Sequence, residues 1–177
     1  MARIRTLMLG WEFPPVINGG LGVACEGLCR ALSGLTDLTL ILPQANPAFT
    51  IDAVDLVGIN QLPPPFEQSP KLKIFAETNF VPADLHPYAD SRDHSAARGP
   101  LYGSDIDAKV IDFAHSAAEI ADRMSFDLIH AHDWMTCLAG LEIKRHTGKP
   151  LVFHVHSLSH DRAGPGTRGW ITEIEKT

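Results

Sequence analysis

Short apolar runs alternate along the chain with segments whose apolar residues recur at helical spacing. The runs at 4–9 and 38–42 predict strands of a parallel sheet that is buried on both faces. Between them, residues 21–32 carry apolar side chains at i, i+3, i+4 and i+7, which predicts an amphipathic helix, and Gly34 predicts its end. A strand, a helix and a second strand in this order form a right-handed parallel unit.

The second half of the chain repeats this order. It predicts, in sequence, a long helix at 105–124, a strand at 126–133, a helix at 134–146, a strand at 151–156 and the start of a helix at 170–176. Alternating strands and helices without internal repeats predict an α/β fold. We expect one Rossmann-like, doubly wound, mainly parallel sheet with helices on both faces.

Residues 44–100 interrupt this regular alternation. Weak strand patterns at 53–57 and 72–75 flank the prolines at 63–65, and a polar stretch follows them. Insertions of this kind usually lie on the surface of a domain. The role of this segment stays unassigned.

Composition narrows the class of protein. A chain of 177 residues with 45% hydrophobic and 20% charged residues predicts one globular domain. The net charge of -6 and the lack of long basic clusters argue against a nucleic-acid partner. Three cysteines without metal-site spacing predict buried thiols in a reducing compartment. Because no apolar run is long enough for a membrane span or a secretion signal, we expect a soluble cytoplasmic protein.

A double glycine follows the first predicted strand. Gly19, Gly20 and Leu21 open the first helix, where unpaired backbone N–H groups and the helix dipole favour a phosphate. The alternative is a tight turn that packs the helix on the strand. The spacing differs from the full dinucleotide-binding pattern, so the residues alone leave both interpretations open.

Two histidine pairs end later strands. His130 and His132, and likewise His154 and His156, lie two residues apart and therefore share a face of the sheet. A metal-dependent hydrolase could use such pairs, but Met135 stands where its pattern needs a further histidine. We expect no metal, and hydrogen bonds from these rings to sugar hydroxyls instead.

Several side chains at the carboxyl edge of the predicted sheet could bind a sugar. His156 and Asp133 could bind hydroxyls, and Trp134 could cover the C–H face of a sugar ring. Each of the last two also has a structural alternative, since Asp133 could cap a helix and Trp134 could fill the core. The residues alone therefore point to a cleft for a phosphate and a polyol.

Four motifs in order resemble retaining GT-B glycosyltransferases of the glycogen and starch synthase group and its family-4 relatives. They are W-E-F-P-P-x3-G-G-L-G from Trp11, F-D-L-I-H-A-H-D-W from Phe126, V-F-H-V-H-S-x3-D-R from Val152, and W-I-x-E-I-E-K from Trp170. The resemblance implies that this chain is the amino-terminal, acceptor-side half of a GT-B fold. A carboxyl-terminal donor-binding domain would complete the GT-B fold. We therefore expect that this chain alone does not catalyse the transfer.

The resemblance also implies roles for individual residues. His156 matches the histidine at the reaction centre, which also contacts the donor sugar, and the Gly19-Gly20-Leu21 loop matches the donor phosphate site. The residues that match the acceptor cleft are Glu12, Asp133, Trp134, Asp161 and Arg162.

The implied reaction moves a glucosyl unit from a nucleotide sugar, such as ADP-glucose or UDP-glucose, to a glucan or sugar acceptor. The anomeric configuration is retained, and neither a metal nor another cofactor takes part. Ile17 and Val23 depart from the lysine and the acidic residue usual in ADP-glucose-using relatives, so the donor nucleotide stays open. The alternatives are a family-4 transferase with a small or lipid-linked acceptor, a metal-dependent hydrolase, and a non-catalytic sugar-binding module.

Overall fold

Five parallel strands form a single sheet in the order β3-β2-β1-β4-β5. The computed structural model describes residues 2–61, 106–164 and 169–176. The strands are β1 Arg5–Leu9, β2 Asp37–Leu42, β3 Val54–Gly58, β4 Leu128–His132 and β5 Leu151–His154. The order runs outward from β1 in one direction and from β4 in the other, which is the arrangement of a doubly wound sheet.

Helices connect the strands of each half. They are α1 Gly20–Leu32, α2 Ile106–Ala121, α3 Asp133–Thr147, α4 Ser159–Ala163 and α5 Trp170–Glu175, and a 3-10 turn at Ile59–Gln61 follows β3. None of the helices in the described part of the chain is long and apolar enough to cross a membrane.

The two faces of the sheet bury different helices. On β1, Met8 packs in one cluster with Cys25 and Cys29 of α1. Its neighbours Leu7 and Leu9 point to the opposite face and pack in a second cluster with residues of α2 and α3. All three β1 side chains are fully buried. This two-sided burial explains why the strands are continuous apolar runs, and it confirms the predicted α/β fold.

The predicted elements are confirmed with small shifts at their ends. The weak pattern at 53–57 is a strand, β3, whereas the pattern at 72–75 lies outside the described residues. The strand predicted at 126–133 ends at His132 because Asp133 already starts α3. The strand predicted at 151–156 ends at His154, where the backbone turns away to meet Asp133.

The cysteines are buried and free, as predicted. Burial is the largest cause that raises the thiol pKa in each case, to about 12 for Cys29 and about 11 for Cys137. These thiols are therefore unreactive packing residues in the folded chain.

The raised thiol pKa values predict a loss of stability at alkaline pH. Above the ordinary pKa of 9.0, the unfolded chain releases a proton from Cys137 that the folded chain keeps until about pH 11. The free energy of unfolding should therefore fall by up to about 1.4 kcal/mol per pH unit in this window for this thiol. Urea denaturation at several pH values, compared with Cys137→Ala, measures the effect. If the free energy of unfolding fell equally steeply with pH in both proteins between pH 9 and 11, the effect assigned to Cys137 would be contradicted.

Candidate functional site

Glu12 binds the backbone of the glycine loop that follows β1. This side chain is fully buried, and its carboxylate oxygen Oε2 accepts hydrogen bonds from the backbone N–H groups of Asn18 at 3.2 Å and Gly19 at 3.1 Å. Charge-assisted bonds to backbone N–H groups are stronger than neutral ones. Glu12 therefore fixes the backbone that leads into the first turn of α1.

The glycines of this loop differ in what surrounds them. A Cβ at Gly22 would lie 3.0 Å from Ile17 and 3.2 Å from the Glu12 side chain, so a side chain here would crowd the loop against α1. A Cβ at Gly19 or Gly20 would meet nothing within 4 Å. Gly19 is extended, with φ -166°, which other residues adopt as easily. Packing of helix on strand therefore explains Gly22 and does not explain Gly19 or Gly20.

The strand β4 passes directly into α3 without a loop. Asp133, the first residue of α3, has a positive φ of 56°, a conformation that aspartate tolerates better than most residues. The Thr136 hydroxyl accepts a hydrogen bond from the His132 N–H at 2.7 Å and donates one to the His132 carbonyl at 2.8 Å. This hydroxyl therefore fixes the sharp turn from strand to helix.

The Asp133 carboxylate joins the ends of β4 and β5. Its Oδ1 accepts a hydrogen bond from the His156 N–H at 2.6 Å and one from the Ser157 N–H at 3.3 Å. Asp133 is 1% exposed, so these bonds lie away from solvent. The carboxylate thus sets the direction in which the chain leaves β5 and the position of His156.

Four imidazole rings stack across these two strand ends. On β4, the ring centroids of His130 and His132 are 4.5 Å apart, and those of His154 at the end of β5 and His156 beyond it are 4.4 Å apart. Between the strands, Nδ1 of His132 lies 2.9 Å from Nε2 of His156, which is a hydrogen bond between the rings. The prediction that each pair shares a face is confirmed.

Burial keeps the inner rings uncharged. It lowers the pKa of His132 to about 2 and that of His130 to about 4, and neighbouring histidines lower both further. Burial also lowers the pKa of His156, although the Asp133 carboxylate acts in the opposite direction. At neutral pH, His130, His132 and His156 therefore offer neutral rings, which donate and accept hydrogen bonds but do not repel one another as cations would.

Two of the predicted acceptor residues are buried. Trp134 is 1% exposed and packs in the core cluster on the α2 and α3 face, so its ring face is closed to a ligand in this structure. Glu12 faces the glycine loop, as described above. Leu21 also buries its side chain in the core, which leaves only its backbone for a phosphate contact.

The remaining predicted acceptor residues lie on α4, which follows β5. Asp161 is exposed, and the side chain of Arg162 lies outside the described part of the structure. The Glu175 carboxylate of α5 accepts a hydrogen bond from the Ser159 N–H at 2.9 Å and also one from the Ser159 hydroxyl. Glu175 therefore anchors the start of α4 beside the site.

Sequence reasoning missed two residues that build this site, Thr136 and Glu175, and it missed the contact that His132 makes with His156. Thr136 and Glu175 act on the backbone of other segments, and no local motif signals such contacts. His132 could have been linked to β5, because parallel pairing of the two strand ends places it beside His154. The contact with His156 depends on the backbone turn after His154, which the sequence pattern does not reveal.

Loss of the Asp133 carboxylate should destabilise the chain. Asp133→Ala leaves the His156 and Ser157 N–H groups without this acceptor and puts alanine in a left-handed conformation, at a cost of about 2–4 kcal/mol. Asp133→Asn keeps an oxygen acceptor and a residue that tolerates this φ, so we expect it to retain more of the stability. Urea denaturation measures both variants. If Asp133→Asn lost as much free energy of unfolding as Asp133→Ala, the role given to the hydrogen bonds and the backbone conformation would be contradicted.

Comparison with known proteins identifies the family. The pattern of the starch synthase catalytic domain matches residues 5–176. A glycogen synthase of Mycobacterium tuberculosis is 23% identical, over 96% of this chain and 36% of that protein. A glycogen synthase of Pseudomonas syringae pv. syringae is 28% identical, over 89% of this chain and 35% of that protein. An uncharacterised glycosyltransferase of Methanocaldococcus jannaschii is 24% identical, over 91% of this chain and 33% of that protein.

Solved structures show the same fold. The catalytic domain of starch synthase IV from Arabidopsis thaliana, bound to ADP and acarbose, aligns with a TM-score of 0.54 and 17% identity, over 99% of this chain and 38% of that one. Sucrose-phosphate synthase from Thermosynechococcus elongatus aligns with a TM-score of 0.55 and 13% identity, over 98% of this chain and 39% of that one.

The chain spans about a third of the length of the curated relatives it matches. Its sheet order, its glycine loop and its histidine-lined strand ends lie within the matched region. The chain belongs to the starch synthase catalytic domain family and has the fold of a GT-B glycosyltransferase amino-terminal domain.

Proposed function

We propose that the complete protein transfers a glucosyl unit from a nucleotide diphosphate sugar to a hydroxyl of a glucan or sugar acceptor, with retention of configuration. The observation that carries the proposal is the open space at Gly19 and Gly20, at the start of a helix on the carboxyl edge of the sheet. Membership in the starch synthase family makes glucose the expected sugar. The donor nucleotide, ADP or UDP, is left to the assay below.

The donor diphosphate would lie against the amides of Gly20 and Leu21, beside the Gly19 N–H, which already donates to Glu12. Gly19 carries no side chain to cap the first turn of α1, and that turn contains no acidic residue. Its N–H groups and the positive end of the helix dipole therefore favour an anion. As the bond to the sugar breaks, negative charge grows on the leaving diphosphate, and amides that are already oriented stabilise this charge without reorganisation.

His156 would contact the donor sugar beside this loop. The hydrogen bond from its N–H to Asp133 fixes its backbone, and the contact with His132 fixes its ring. A neutral imidazole held in this way can bind a sugar hydroxyl without adding charge. We therefore assign His156 to the reaction centre, with Asp133 and His132 as positioning residues.

The acceptor would enter along the α4 side of the same edge, where Asp161 is exposed and Arg162 is its neighbour. The resemblance implies that Glu12 and Trp134 contact the acceptor directly, but both side chains are buried. Their burial favours structural roles instead: Glu12 holds the glycine loop, and Trp134 packs in the core. Asp133 would affect acceptor binding indirectly, because it fixes the backbone of His156 and Ser157, which leads into α4.

A second domain would supply the rest of the donor site, in keeping with the third of the relatives' length that this chain covers. We therefore expect the chain alone to bind substrates weakly and not to turn over. The buried free thiols are in keeping with a cytoplasmic location. The names of the relatives favour a synthase over a metal-dependent hydrolase or a non-catalytic module.

Gly20→Asp in the complete protein tests the diphosphate site. The new carboxylate would repel the donor, and we expect transfer to fall by at least about 100-fold, as when oriented donors to a developing anion are lost. Stability should stay equal or rise, because an acidic residue in the first turn favours a helix by about 0.3–1 kcal/mol. Activity is measured with ADP-glucose and UDP-glucose on maltooligosaccharides, and thermal unfolding is measured in parallel.

Gly27→Asp is the matched control. Gly27 lies on the same helix, and a Cβ there also meets nothing within 4 Å. This variant should keep transfer within a few-fold of the unchanged protein. Transfer retained by Gly20→Asp, or lost equally in both variants, would contradict the proposed diphosphate site.

A further inference from the structure

Three of the stacked histidines form a triangle across the two strands. The ring centroids of His130 and His132 are 4.5 Å apart, those of His132 and His154 are 5.0 Å apart, and those of His130 and His154 are 5.6 Å apart. One ring nitrogen from each of the three lies within 4.8 Å of the other two. The third histidine reaches the pair on β4 only because the register places His154 beside His132.

Two of these rings carry a buried nitrogen that lacks a hydrogen bond. Nε2 of His130 and Nε2 of His132 have no hydrogen-bond partner among the residues that the structure describes. His132 is fully buried, and His130 is 9% exposed. Native proteins rarely leave buried polar nitrogens unsatisfied, and an unsatisfied group of this kind calls for an explanation such as an ion.

We propose that His130, His132 and His154 bind a divalent transition-metal ion of the zinc type. Neutral imidazole nitrogens suit such ions, whereas magnesium and calcium prefer oxygen ligands. Three histidines with a fourth position open to solvent or a small ligand are a known zinc arrangement. The site does not depend on the proposed transferase function.

The triangle is slightly wide for direct coordination. A tetrahedral zinc ion with Zn–N bonds of 2.0–2.1 Å holds its ligand nitrogens about 3.3 Å apart. Rotation of the rings about their side-chain bonds would have to close the difference when the ion binds. His154 is the most exposed of the three and therefore the ring that moves most easily.

Metal binding would fix the protonation pattern of the neighbouring ring. When Nε2 of His132 binds the ion, its proton resides on Nδ1, which then donates to Nε2 of His156. A ring nitrogen opposite the metal usually makes such an outer hydrogen bond. Through His132, the bound ion would thus orient the ring of His156. Binding or loss of the metal would therefore change the hydrogen bonding of His156.

The cysteines do not offer a competing site. All three thiols are buried, and burial raises the pKa of Cys29 to about 12 and that of Cys137 to about 11. Zinc binds the thiolate form, which burial disfavours, and in the described part of the chain no cysteine belongs to a group of three or more possible metal ligands. Zinc bound by the folded chain is therefore expected at the histidines.

Calorimetric titration of the chelator-treated 177-residue chain with zinc chloride tests the proposal. We expect one ion per chain and at least a tenfold loss of affinity in His154→Ala. Because His154 is the most exposed of the three, this variant should fold, which circular dichroism checks. His130→Gln is a second variant with the same expected loss. His160→Ala, at an exposed histidine outside the cluster, is the control and should bind as the unchanged chain does.

Cobalt(II) reports the ligand geometry in the same proteins. Its visible absorption should indicate four- or five-coordination with nitrogen ligands in the unchanged chain and should lose this character in His154→Ala. No zinc binding by the unchanged chain, or equal affinity in His154→Ala and His160→Ala, would overturn the proposal.

Discussion

The hydrogen bonds that the Asp133 carboxylate accepts from the His156 and Ser157 N–H groups hold the site together. They link the first residue of α3 to the chain that leaves β5, across two neighbouring strand ends. Without them, the segment between His154 and Ser159 would lose its attachment to α3, and His156 would be held beside His132 by the ring contact alone. Asp133 accepts these bonds from a backbone conformation with a positive φ of 56°, at the point where β4 passes into α3.

The apolar sheet makes this polar edge possible. Leu7, Met8 and Leu9 bury both faces of the central strand, so the strand ends are rigidly placed where helices on opposite faces begin. The glycine loop lies after β1, and the histidine stack lies at the ends of β4 and β5, on the adjacent half of the sheet. Ligands of open α/β sheets bind at such a switch in strand order. The fold therefore places the start of α1 and the histidine rings at the same edge of the sheet, as the proposed donor site requires.

Much of this could be predicted from the sequence. The strands are apolar runs because both of their faces are buried, and the histidine pairs share a face because side chains alternate along a strand. Contacts between distant segments could not be predicted in the same way. Trp134 follows Asp133 directly, and its spacing alone fits a sugar platform and a core residue equally well; only its packing against α2 and α3 distinguishes the two. Glu12 and Glu175 likewise act on backbone groups that no local pattern points to.

A backbone-amide NMR titration of the isotope-labelled chain with ADP, UDP and inorganic pyrophosphate tests the proposed donor site most directly. We expect the largest shifts at the amides of Gly20 and Leu21, with smaller shifts at Gly19 and His156, and we expect all three ligands to produce them because the diphosphate is the shared group. Saturating ligand that leaves these amides unmoved, or that shifts a separate surface instead, would contradict the assignment of this edge as the donor site.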